Sequence, residues 1–153
     1  MNCAYWRWHP VREEFELFAQ GTSNPWGLDY NAEGQFFAEA CVIPHFWHVI
    51  QGAYYLRQSN PLGHFNPYVY KNIETIADHA HFVGKTHGTP HELSADSGGG
   101  HAHCGLCIYQ SDHFPAEFKG RPLFGNIHGK RINQENLVPE GSGYRAAHLP
   151  DFF

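Results

Sequence analysis

The sequence predicts an all-β fold, a partial β-propeller, and three observations carry that expectation. Short apolar or alternating runs recur with turn signals roughly every 8–12 residues, the spacing of sandwiches, barrels and propellers. Two distant stretches read as copies of one unit. Composition, at 42% hydrophobic, 16% aromatic and only 16% charged residues, suits a packed, loop-rich globule rather than a disordered chain.

Taken in order, Tyr5 to Trp8 is expected as a short strand ended by Pro10. Phe15, Leu17 and Ala19 alternate onto one face of a second strand. Trp26 to Tyr30 is a third, and Asn31-Ala32-Glu33-Gly34 a tight turn. Gln35 to Ile43 forms the next strand, and His45 to Tyr55 another, with Trp47 and Val49 on one face. Residues 56–100 are rich in Gly, Pro, Asn and His and read as a loop-rich insertion; its 70–77 stretch is consistent with a helical turn or a strand. Leu106 to Tyr109, Leu123 to His128 and the run from Lys130 complete the strands, and the tail from Gly141 is aperiodic.

The repeat aligns Gly27-Leu28 with Gly105-Leu106. Each pair opens a strand. A turn ending at Gly34 or Gly120 follows, then Phe36-Phe37-Ala38-Glu39 or Leu123-Phe124-Gly125-Asn126. Units of this kind bury their faces only against neighbouring units. At about 40–45 residues per blade, the 153 residues hold roughly three blades, whereas a closed ring needs at least about four. The expectation is therefore one propeller fragment over 1–153, or a chain that depends on missing neighbours.

Several function classes are disfavoured. A formal charge of −5 gives no nucleic-acid footprint. No run of 18 apolar residues predicts a membrane span, and no apolar signal core follows Met1. Cys104-x-x-Cys107 precedes Ile108, not His, so no c-type haem is expected on this chain. A regular strand puts those two cysteines on opposite faces. Thirteen histidines make positive charge available as pH falls through about 6.5.

The densest chemistry lies in Gly98-Gly-Gly-His-Ala-His-Cys-Gly105. On an extended chain His101 and His103 share a face. They are candidate bases, metal ligands or cofactor contacts. A metal set of His101, His103 and Cys104, with His128 or His45, needs donors from more than one strand, and no metal is assigned. The pairs His45/His48 and His79/His81 are weaker candidates.

These residues resemble the membrane-bound dehydrogenase-type propeller proteins of planctomycetes and related bacteria. The matching runs are Gly21 to Leu28, Glu39 to His45, Gly98 to Gly105, Asn126 to Asn133, Gly141 to Tyr144 and Pro150 to Phe152. More distantly the chain is similar to soluble quinoprotein glucose and sorbosone dehydrogenases, six-bladed propellers that hold pyrroloquinoline quinone (PQQ) and calcium. The resemblance implies oxidation of a sugar or other alcohol in the periplasm or cell envelope. Hydride would pass to the quinone and electrons to a cytochrome c domain of a longer parent chain. His101 or His103 would take the hydroxyl proton, and Asn24, Asn126, His128 and Arg131 would hold the cofactor. Ser23 stands where the quinoproteins carry an arginine, and Glu39 alone remains of their calcium run. The alternative is a non-catalytic propeller that binds glycans or partner proteins.

Overall fold

The computed structural model describes residues 3–42, 44–56, 71–81 and 101–153, and over these the chain is all-β. Most of the expected 56–100 insertion, with Gly98 to Gly100, lies outside the described residues. Strands β1 (Ala4–His9) and β2 (Glu14–Gln20) form a hairpin. Strands β3 (Pro25–Tyr30), β4 (Phe36–Ala40) and β5 (Phe46–Val49) form an antiparallel meander. A second meander runs through β6 (His103–Ile108), β7 (Pro122–Asn126), β8 (Arg131–Glu140) and β9 (Gly143–Leu149). A 3-10 turn, Ala116–Phe118, sits in the β6–β7 connection.

The middle sheet is covered on both faces. Ala38, Trp47 and Val49 pack with Tyr5, Ala19, Ala53 and Tyr55 towards the hairpin. Phe37 and Phe46 face the other way, onto Leu106, Ile108, Phe124 and Ala146. This explains why β4 and β5 read as continuous rather than alternating apolar runs. The two halves of the expected repeat meet directly. A Cβ on Gly27 would lie 2.6 Å from both the backbone nitrogen and the Cβ of Leu106. Glycine at 27 is what lets β3 lie against β6.

Three local readings are corrected. The tail is not aperiodic: after Gly141-Ser142 the chain reverses, and β9 pairs with β8 from Glu140↔Gly143 to Gln134↔Leu149. Alternation is weak there because most of β9 is half-buried and only Ala146 is fully enclosed. Second, Cys104 and Cys107 share a face. Gly105, at φ +69°, makes a bulge, so Cys104 opposes Gly125 while Cys107 opposes Leu123, two residues away. All four cysteines are free thiols. Third, His101 and His103 do not share a face, because Ala102 takes φ +60° and breaks the extended chain between them.

The stretch 71–81 is neither helix nor strand. It is laced across the sheets by backbone bonds. Ile73 exchanges bonds with Tyr54 and Leu56. Ile76 N–H donates to Phe46 O at 3.0 Å, Ala146 N–H to Ile76 O at 2.8 Å and Asp78 N–H to Ala146 O at 3.0 Å. It thus spans from the β5 end of one meander to β9 of the next.

Glu39 sits in the middle sheet, opposite Gly27 and Phe46, fully buried and with neither carboxylate oxygen hydrogen-bonded among the described residues. Burial pushes its pKa from 4.5 up to about 8.

Two outcomes follow from this packing. Gly27→Ala is expected to cost about 1–3 kcal/mol or more, read as a lower urea midpoint, because backbone must move to admit the methyl group. The neutral form of Glu39 is the one the fold accommodates. Its contribution is whole below about pH 4.5 and fades as pH rises through about 8. Urea midpoints measured between pH 5 and 8 should therefore fall with pH, and Glu39→Gln should flatten that fall.

Candidate metal centre

Four side chains from three parts of the chain converge where the 71–81 stretch crosses the second meander. His45 ends the turn that leads into β5, held by the Ala40 N–H to His45 O bond at 2.7 Å. His79 and His81 arrive on the 71–81 stretch just after Asp78 is pinned to Ala146. Glu135 lies in β8, opposite His148 of β9. One donor atom from each of His45, His79, His81 and Glu135 lies within 4.8 Å of all the others.

The contacts all point at one carboxylate oxygen. Glu135 Oε1 is 2.5 Å from His81 Nε2, 2.9 Å from His79 Nε2 and 3.6 Å from His45 Nε2. The two Nε2 atoms of His79 and His81 are 3.1 Å apart. Protons alone satisfy this arrangement poorly. If both rings carry Nε2–H, two hydrogens collide; if neither does, two lone pairs and an anion face one another; if one does, the other ring still turns its lone pair on the same anion. A cation at the centre meets every lone pair at once. Tetrahedral bonds of about 2.0–2.1 Å place neighbouring donors about 3.3 Å apart, close to the spacings here.

Burial sharpens the argument. His45, His81 and Glu135 are at most 1% exposed, and only His79 reaches solvent. Burial and the neighbouring imidazoles of His81 and His79 drive the pKa of His45 down to about 4, against the pull of Glu135. Burial alone would raise the Glu135 pKa, but its contacts with His45, His79 and His81 hold the carboxyl well below the usual range. Burial opposes charge on His79 as well, yet Glu135 and Asp78 together raise its pKa.

A second layer surrounds the four. His79 Nδ1 lies 2.8 Å from Asp78 Oδ1, the carboxylate–histidine pairing that fixes tautomer and ring orientation at metal sites. The His148 ring lies 4.8 Å from that of His81, and Asp151 is 3.7 Å from its Nε2. Phe124 packs against His45, His81 and His103 at 5.5–5.8 Å and supplies an apolar wall.

The residues singled out from the sequence fall into two groups. His103 joins this centre: it is fully buried, with its ring 5.2 Å from His45 and 5.8 Å from His81. His101 instead stacks on His128 at 4.1 Å, with His128 N–H bonded to His101 O. Asn126 donates to Asn133 Oδ1 at 3.0 Å and accepts from Gly129 N–H, while Asn133 donates to Asp151. Arg131 pairs with Asp151 at 3.0 Å. Asn24 accepts from the Trp26 indole at 3.2 Å. A backbone chain nevertheless links several of them. Cys41 N–H donates to Asn24 O, His103 N–H donates to Cys41 O, and His103 pairs with Asn126. Of the expected metal set, His45 alone belongs to the four donors. Glu135 carried no sequence signal; the His-x-His spacing at 79 and 81 was the visible clue.

Fold and site together define a domain of stacked antiparallel sheets with a three-histidine, one-glutamate cluster in its interior. The chain belongs to the domain family of unknown function DUF7133, which it matches over residues 1–152. No curated protein and no solved structure matches it.

The Asn126 network reaches the surroundings of the histidine cluster through Asn133 and Asp151. Asn126→Ala leaves the Gly129 N–H and Asn133 Oδ1 without this partner, and is expected to lower stability by about 1–3 kcal/mol in urea titration.

Proposed function

We propose that this domain is a metal-binding module, holding one divalent first-row transition-metal ion between His45, His79, His81 and Glu135. The observation that carries the reading is the convergence of three imidazole Nε2 atoms on one buried carboxylate oxygen. Imidazole suits zinc, iron, nickel and copper, whereas calcium prefers an all-oxygen shell. Calcium therefore does not fit these donors. The ion and one carboxylate leave a net positive charge, which the buried setting makes electrostatically strong. Such an ion would act as a Lewis acid for an oxygen ligand. This chain's part is to fix the donors, orient His79 through Asp78 and limit water.

A second reading keeps the dehydrogenase-like propeller, with PQQ at the sheet ends and about six blades in the parent. It is favoured by the face-to-face stacking of two meanders that start alike, and by the backbone chain from Asn24 through Cys41 and His103 to Asn126. Quinone binding to the 153-residue chain, followed by absorbance, separates the readings. Retention of metal without quinone supports the first alone.

Elemental analysis of the purified chain should find about one equivalent of transition metal. Chelation should lower the melting temperature, since ion at 100 times its Kd stabilises the fold by about 2.7 kcal/mol. His81→Ala should abolish binding. A chain that takes up none of zinc, iron, cobalt, nickel, manganese or copper would sink the reading. Asp78→Asn should weaken metal affinity roughly 10–100-fold in competition with a chromophoric chelator, while leaving stoichiometry unchanged.

A further inference from the structure

We propose that His103 is the positioning residue for an exogenous oxygen ligand of this centre: water, hydroxide or the hydroxyl of a small molecule. The inference rests on the metal reading above and names what the metal would present to its substrate.

Three observations point there. First, His103 is fully buried, and neither ring nitrogen has a hydrogen-bond partner among the described residues. The Ala40 carbonyl pulls on the ring without reaching hydrogen-bond geometry. Buried polar groups are nearly always paired, so an imidazole packed against other imidazoles and Phe124 implies a partner that binds there. Second, Glu135 Oε2 and His81 Nδ1 are also buried and have no hydrogen-bond partner among the described residues. The region around the four donors thus holds unused hydrogen-bonding capacity from several elements. Third, His103 packs against two of the four donors yet falls outside the set whose donor atoms lie mutually within 4.8 Å. That places it beside the ion's shell rather than in it. The four protein donors fill a tetrahedral shell, so the oxygen ligand binds as a fifth donor on an ion that expands to five-coordinate.

The chemistry of this corner limits the ligand. Phe124 walls off His45, His81 and His103 together, so the ligand is small. It must bind a hard or borderline cation on one side and exchange a hydrogen bond with an imidazole on the other. An oxygen carrying hydrogen does both. His103 would hold that oxygen in one orientation on the ion, which is how a positioning residue sets which ligands bind.

The test uses the cobalt(II)-loaded 153-residue chain, with azide as the probe that replaces the oxygen ligand. In the unmodified protein azide should change the cobalt d–d absorption saturably. His103→Leu should weaken azide binding at least about tenfold, and His103→Gln, which keeps a hydrogen-bonding group, should restore part of it; cobalt stoichiometry should be unchanged in both. Unchanged azide affinity in His103→Leu, or no azide response in the unmodified protein, would overturn the proposal. So would loss of cobalt from a folded His103→Leu variant, because His103 would then be a ligand. If that variant fails to fold, pulsed EPR of the copper(II)-loaded unmodified chain decides. Three coordinated imidazoles support the proposal and four overturn it. Failure to take up any metal overturns the centre itself, a result distinct from a normal metal content without azide binding.

Discussion

A carboxylate with no exposed surface, surrounded by imidazoles, is the constraint on which the rest of the second meander depends. Glu135 is carried inward by β8, and three separate ring nitrogens meet one of its oxygens. Removing a charge from water is costly unless partners and geometry compensate. Here the compensation comes from residues 54 or more positions away, so the 71–81 stretch must be fixed before the site exists. The bonds of Ile76 to Phe46 and of Ala146 to Ile76 do that fixing.

The two buried acids of this chain behave in opposite ways for one reason. Glu39 and Glu135 are both fully enclosed. Among the described residues Glu39 finds no hydrogen-bond donor, and burial raises its pKa to about 8. Glu135 finds imidazoles and is held low. The first is a neutral acid at the join between β3, β4 and β6; the second is an anion ready for a cation. Partnership, not depth, separates them.

The middle sheet connects these two environments. β4 and β5 are buried on both faces, so their side chains contribute to two cores at once. Gly27 allows the neighbouring β6 to close against β3, and β6 begins with His103. The packing that joins the two meanders also delivers a fourth imidazole to the side of the donor cluster.

Strand identity was largely legible from sequence, because alternation in β2 and β3 and the turn residues after them are local signals. β9 was not, because its burial comes from half-covered positions rather than a clean apolar face. Facing was legible only where the backbone stays extended. The left-handed residues Ala102 and Gly105 each reversed a face that parity alone had assigned. At the site, His103 stood out as a candidate, His45, His79 and His81 were weaker ones, and Glu135 carried no signal. By itself the sequence determined the all-β class, the turns and a wealth of imidazole, since these depend on residues close along the chain. Only the tertiary structure decided which imidazoles share an oxygen, because the register of β8 and the path of the 71–81 stretch are set by contacts between distant segments.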